Sequence, residues 1–366
     1  MMLKEGRFGV QETVCLLAIT ISAKVFFSSP TYVVQIVGST GWLMTLISAA
    51  VTGAVFLSVY TLIRLFPNKN IMDIHSAVCG KTAGSLLSLI LSAGLMLTAV
   101  INLREFTEVM NVYVLPSSPP IFIIYMFIAV LIVFSYLGLE TIARFSKLMA
   151  YVLLAGFIFL IVLGIKNYDI NNIFPFWGHG FNRTIINGVK RSSAYGELMI
   201  IFVIAKSLQG KEHIKKAGIL SLIYSGLIIS ASLLLFSMTF PYYVGQEITA
   251  PIYLSSSIIE YGGFFQRIES LFLIIWIVCS LISITASFYI SLYINAYVLK
   301  LDDKKPLIIP YAVILAVAAL LPGNIIQTLN IVENLREYGW ILFFIPPLAT
   351  LFVAKARRML RSDRHA

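Results

Sequence analysis

Long apolar runs separated by short polar breaks dominate the chain. Ten such runs fall near 10–37, 41–63, 82–113, 119–138, 142–165, 184–207, 214–240, 264–299, 307–321 and 338–354. The breaks are marked by "GSTGW", "FPNKN", "LPSSPP", "NYDINNIFPFWGHG", "LQGKEH", "DDKKP" and "LPGN", all rich in the residues that interrupt regular structure. A run of about 20 apolar residues matches a hydrocarbon layer of about 30 Å at the rise of an α-helix. Membrane strands would instead read as segments of about ten residues with alternating polarity, and these runs are continuous. The pattern predicts an all-α polytopic membrane protein forming one transporter-like domain over residues 1–366.

The ten runs divide into two sets of five with a similar layout, approximately 10–165 and 184–354. Each set opens with an interrupted span, and each has an unusually long third member. Because five is odd, the halves insert with opposite orientations, which is the layout of inverted-repeat transporters with a broken first helix in each half. The first span carries "ISAK" near its midpoint and "SSP" shortly after. The sixth, "NRTIINGVKRSSAYGELMIIFVIAK", is polar until Leu198 and centres on "SSAYGE". There Gly196 loosens a helix, and Ser192 and Ser193 compete for backbone hydrogen bonds. A polar half-helix is excluded from lipid, so Lys190 and Arg191 are expected to line an aqueous vestibule on the outer side.

Composition agrees with this reading. The chain is 59% apolar and 12% charged, with a net charge of +10. In a soluble protein that charge would raise nucleic acid as a partner. Here 19 of the 27 Lys and Arg residues fall in alternate loops and at the two termini, so the positive-inside rule places both termini in the cytoplasm, and an even span count follows. Residues 10–23 resemble a signal peptide, but apolar character resumes directly after Lys24, which favours an uncleaved first span. Cys15, Cys79 and Cys279 lack metal-ligand spacing and read as packing residues.

Lys24 lies near the midpoint of its span, too deep for its side chain to reach either interface. A charge at that depth costs about 2.5–3.5 kcal/mol on insertion scales. Glu197, on the other interrupted helix, is the one carboxylate at similar depth. The two are expected across one cavity, Lys24 attracting a ligand carboxylate and Glu197 a ligand ammonium or a proton. The alternative is a permanent ion pair that only specifies packing. "NLREFTE" sets Arg104 and Glu108 four residues apart with Glu105 beside them, and "QRIES" adds Arg267 and Glu269. Both clusters are expected as solvated salt bridges near the outer interface. Ser280, Ser283 and Ser287 share one helical face, as close helix packing or a cavity lining requires. His75, His179, His213 and His365 show no metal-ligand spacing. With no phosphate loop, nucleophile elbow or carboxylate dyad, neither enzyme activity nor a cofactor is predicted.

"GRFGVQE", "AKVFFSSP", "NLREFTEV", "YVLP", "LGLETIARF", "RSSAYGE", "FPYY", "QEITAP" and "FFQRIE" together resemble the endospore germination permeases. These are the membrane B subunits of nutrient germinant receptors, within the amino acid–polyamine–organocation transporter superfamily. The resemblance covers nearly the whole chain. It implies the five-plus-five inverted fold and nutrient sensing at its centre. It also implies residence in the spore inner membrane, with an A subunit and a C-subunit lipoprotein as partners. It places the substrate site at Ser22, Ala23 and Lys24 in the first span and at Ala194, Tyr195, Gly196 and Glu197 in the sixth. Thr98 and Ser280 flank that site from the third and eighth spans. Lys24 departs from the small residue expected at such a break and argues against sodium coupling, since two unit charges 4 Å apart repel by about 4 kcal/mol at an effective dielectric of 20.

Overall fold

The computed structural model describes residues 6–208, 211–260 and 268–362; Arg267 and the predicted start of the eighth span lie outside them. Helices make up all the regular structure among these residues, with no strand. In chain order the α-helices are α1 (Val10–Ser22), α2 (Ser29–Val37), α3 (Gly41–Leu65), α4 (Ile71–Cys79), α5 (Lys81–Tyr113), α6 (Pro120–Leu137), α7 (Leu139–Leu163), α8 (Phe181–Lys190) and α9 (Ile200–Val203). They continue with α10 (Lys211–Thr239), α11 (Tyr242–Gly245), α12 (Pro251–Ser257), α13 (Glu269–Val298), α14 (Lys305–Leu320), α15 (Ile325–Tyr338), α16 (Trp340–Phe343) and α17 (Ile345–Ser362).

Among the described residues, six runs are long and apolar enough to cross a membrane: Ser29–Leu65, Lys81–Tyr113, Pro120–Leu137, Leu139–Asn167, Glu212–Thr239 and Glu269–Val298. The chain is an integral membrane protein. Its outer helices leave Tyr125, Val133, Leu154 and Val317 exposed, as lipid contact allows. At the centre, α13 lies against α5 along most of its length. Hydroxyls fasten the two: Ser92 Oγ donates to the carbonyl of Ser291, and Ser291 Oγ to that of Ser92, each at 3.0 Å. Lipid tails are as apolar as leucine, so hydrogen bonds and close packing replace the hydrophobic effect as the force joining such helices.

Four helices, α4, α11, α12 and α15, lie outside the runs of the apolar pattern, and two of them open on a side-chain cap. The first, α4, follows "FPNKN" and is started by a reciprocal cap, Asn70 Oδ1 accepting from the Asp73 amide at 2.9 Å and Asp73 Oδ2 from the Asn70 amide at 3.2 Å. The second, α15, follows "LPGN" and is bent back by 114° from α14. Asn324 Oδ1 caps it by accepting from the Gln327 amide at 2.9 Å. Both were hidden because they are short and half polar, and a search for bilayer-length runs passes over them. The last span also differs from its expected limits: α17 runs on to Ser362, carrying helix into the basic tail.

The contact between α3 and α10 rests on small residues. A β-carbon at Gly218 would lie 2.2 Å from the ring of Phe56, whereas one at Gly226 would meet Ala49 at an ordinary 3.6 Å. Overpacking a tight contact costs about 1–3 kcal/mol. Gly218→Val is therefore expected to lower the thermal midpoint of the detergent-solubilised protein by several degrees, and Gly226→Ala to leave it nearly unchanged.

Candidate functional site

Helix α1 stops at Ser22, a 3₁₀ turn covers Ala23–Phe26, and α2 opens at Ser29 with Pro30 in its first turn, where proline is well tolerated. Thr20 and Ser22 turn their hydroxyls back onto the carbonyls of Leu16 and Ala18 at 2.7 and 2.5 Å. Between α8 and α9, residues Ser192–Met199 also run as 3₁₀ helix, and Tyr195 leaves helical geometry altogether (φ −106°, ψ 16°). The departure sits at Tyr195, not at Gly196. Gly196 meets a different need, since a β-carbon there would lie 2.5 Å from the ring of Phe343.

Irregular backbone frees carbonyl groups, and each one buried without a partner carries a desolvation cost. Three donors meet that need here. Ser48 Oγ donates to the Gly188 carbonyl at 2.7 Å, and Thr52 Oγ1 to the Ser192 carbonyl at 2.9 Å. Lys24 Nζ donates to the Ala194 carbonyl. The same ammonium lies 2.8 and 3.0 Å from the two carboxylate oxygens of Glu197. Lys24 is 3% exposed and Glu197 1%. The two charges expected to face each other across a gap are therefore in direct contact, and the lysine joins the irregular turns of both interrupted segments.

Beside this pair is a cavity of about 50 Å³, lined among others by Lys24, Tyr32, Thr45, Arg191, Tyr195 and Arg336. At about 10–15 Å³ per water this is room for roughly three or four water molecules. Arg191, expected to line an aqueous outer vestibule, is instead buried on the cavity wall, bound by Glu333 at 3.1 Å, with Glu337 at 3.9 Å. Lys190 reaches outward to Glu337 at 3.8 Å.

Of the nine residues expected at the site, Lys24, Ala194 and Tyr195 line this cavity. Ser22 lines a larger cavity of about 480 Å³ between α1, α7, α10 and α13, together with Cys279 and Lys216. Glu197 is held by Lys24. Ala23 and Gly196 are buried at the two turns. Thr98 is buried with its hydroxyl on the Gly94 carbonyl at 3.0 Å. Ser280 is fully buried, and its hydroxyl has no partner. Neither Thr98 nor Ser280 lines the cavity.

The "NLREFTE" cluster departs from expectation. Arg104 does pair with Glu108, but it is 6% exposed, and Glu105 only 2%. Glu105 accepts from the Ser28 hydroxyl and, at 3.4 Å, from the Ser28 amide, while Arg104 Nη1 donates to the Ala319 carbonyl at 3.4 Å. Depth along the membrane had suggested cheap, solvated charge. Packing of α14 and of the turn before α2 over this face of α5 removes the solvent.

Sequence reasoning missed Arg336 and Glu333, because both fall between the predicted spans 307–321 and 338–354. The signal was present: Asn324 as a cap, then Ile325, Val332 and Leu335, with buried Thr328 between them, in helical spacing. Among the described residues, no group of three or more His, Cys, Asp or Glu is suited to a metal ion.

Removing one member of a buried ion pair strands the other, at about 3–5 kcal/mol. Lys24→Met is expected to lower the thermal midpoint strongly, and adding Glu197→Gln to restore part of the loss. Thermal denaturation over the double-mutant cycle gives the coupling, and simple additivity would contradict the pair.

Comparison with known proteins gives a consistent picture. The family described as spore germination protein matches residues 9–327. Similar relatives include Spore germination protein YndE of Bacillus subtilis (strain 168), 20% identical over 95% of this chain and 96% of that protein. Spore germination protein A2 of the same organism is 28% identical over 76% of this chain and 77% of that one. Among solved structures, a sodium-coupled sialic acid symporter in a substrate-bound outward-open state superposes with a TM-score of 0.65, at 13% identity and covering 95% of this chain and 89% of that one. Mhp1, a nucleobase-cation-symport-1 family transporter in a closed conformation, gives 0.55 at 17% identity, covering 91% and 76%. The fold is that of these secondary transporters.

Proposed function

The chain belongs to the spore germination protein family, and from that premise we propose that it is the membrane subunit of a nutrient germinant receptor. A small nutrient, an amino acid in the first place, binds beside the Lys24–Glu197 pair, and binding shifts the receptor between conformations. The observation that carries this reading is the cavity where two interrupted helical segments meet, with Lys24, Arg191 and Arg336 on its wall. A ligand shifts such an equilibrium only by the difference in its affinity for the two states. The small volume beside Lys24 supports a closed state that must repack to admit the ligand.

The reading includes ten spans in two inverted sets, 10–165 and 184–354, with α1 and α2 forming one broken span. Spans one and six then supply Ser22, Ala23, Lys24, Ala194, Tyr195, Gly196 and Glu197, with Thr98 and Ser280 supporting them from α5 and α13. Both termini lie in the cytoplasm, the membrane is the spore inner membrane, and an A subunit and a C-subunit lipoprotein complete the receptor. The kinship with Spore germination protein B2, KB and A2 supports the assembly.

A second reading, a proton-coupled amino acid permease acting alone, is favoured by the transporter fold. Accumulation of labelled amino acid in vesicles containing only this chain would establish it. A nutrient response that needs the partner subunits, without accumulation, would establish the receptor.

Two results are expected of the receptor. Ser29 lines the cavity, so Ser29→Leu should abolish the germination response of spores carrying the intact receptor while protein abundance stays near normal. Replacing sodium by potassium should leave the response unchanged, because the ammonium of Lys24 already occupies the contact between Glu197 and the Ala194 carbonyl. A sodium-dependent response would contradict this.

A further inference from the structure

Of the three cationic side chains on the cavity wall, two are neutralised. Lys24 is held by Glu197 at 2.8 Å and Arg191 by Glu333 at 3.1 Å. Arg336 is the exception. It is 8% exposed, its Nε is buried without a hydrogen-bond partner, and it makes no ion pair among the described residues. Glu105, the other buried carboxylate of the region, is engaged by Ser28 instead, and its second oxygen has no hydrogen-bond partner.

The position of Arg336 is fixed by its backbone. Its carbonyl accepts from Ser193 Oγ at 2.9 Å, which fastens α15 to the 3₁₀ segment of the sixth span. Val332 and Leu335, one helical turn and one residue before it, pack against Ile101 of α5. The guanidinium is thus carried on a docked helix to the wall of the cavity. Glu105 is near enough to be felt electrostatically but makes no direct pair with the guanidinium. A buried charge without a direct ion pair is costly, and a planar guanidinium offers two parallel N–H donors matched to a carboxylate.

Resting on the ligand site proposed above, we infer that Arg336 binds the carboxylate of the ligand. The site therefore takes small carboxylates, amino acids among them, and Lys24 acts as a structural counterion rather than as the anion-binding group. Because Arg336 belongs to α15, the same bond ties α15 to the interrupted segment when ligand is present. Ligand binding and closure of this outer helix are then one event.

The test uses the full chain in lipid nanodiscs. Its probes are the twenty common amino acids, their C-terminal amides, acetate and propionate, together with a set of neutral sugars and nucleosides. Affinity is read by calorimetry, and the ligand-free thermal midpoint is recorded for each variant. At least one amino acid is expected to bind tenfold or more tightly than its own amide. Arg336→Gln should abolish that preference, Arg336→Lys should keep part of it, and the ligand-free midpoint of Arg336→Gln should equal or exceed that of the parent. The parent's preference for acid over amide is informative even if a variant fails to fold. The inference is overturned if no carboxylate binds, if acid and amide bind alike, or if Arg336→Gln leaves the preference intact. It is equally overturned if Arg336→Gln lowers the ligand-free midpoint as Lys24→Met does, which would make Arg336 structural. Neutral nutrients binding in the absence of any carboxylate binding would overturn it while leaving the ligand site itself standing.

Discussion

The contact of the Lys24 ammonium with Glu197 and with the Ala194 carbonyl is the constraint on which the central region depends. Two segments leave α-helical geometry at the same place, and each alone would leave backbone carbonyls without partners away from water. One buried cation, carried on the first segment, answers the second. It neutralises the Glu197 carboxylate and satisfies a carbonyl released at the second turn. The cost of burying it is offset only while all three groups stay together, so the arrangement is cooperative. A hydrophobic substitute for Lys24 would remove charge but leave the carbonyl of Ala194 unanswered, and one for Glu197 would leave the buried ammonium without its counterion.

Around this contact the remaining polar groups fall into a consistent order. Hydroxyls of α3 answer the carbonyls of Gly188 and Ser192, and a hydroxyl from the turn itself holds α15 through the carbonyl of Arg336. Farther along the bundle, charged contacts link further elements. Glu12 of α1 meets Lys147 of α7 at 2.7 Å, and Asp73 of α4 meets Lys206 at 2.6 Å while accepting from Tyr297 at 2.5 Å. These contacts are less buried than the central pair. Being partly exposed, they are cheaper to break than the central pair.

Kinship and geometry answer different questions here. The family gives the biological setting, and the superposition on transporters of 12–17% identity gives the fold alone. What a site accepts is decided by its own side chains. Here that means a wall with three cations, two of them already neutralised.

The sequence by itself determined the helical membrane class, because apolar runs of bilayer length admit few other structures, and it located the two irregular segments through "ISAK", "SSP" and "SSAYGE". It also named Lys24 and Glu197 as partners, since at that depth a charge must find an opposite one. Tertiary structure alone decided that the two touch instead of facing each other across a gap, and that Gly196 serves the close approach of Phe343. It also decided that Glu105 is buried and that a short half-polar helix brings Arg336 inward. The physical reason is common to these cases. Depth along a single helix can be read from sequence periodicity, but solvent is excluded by neighbours that are remote in the chain, and their approach is fixed only when the bundle closes.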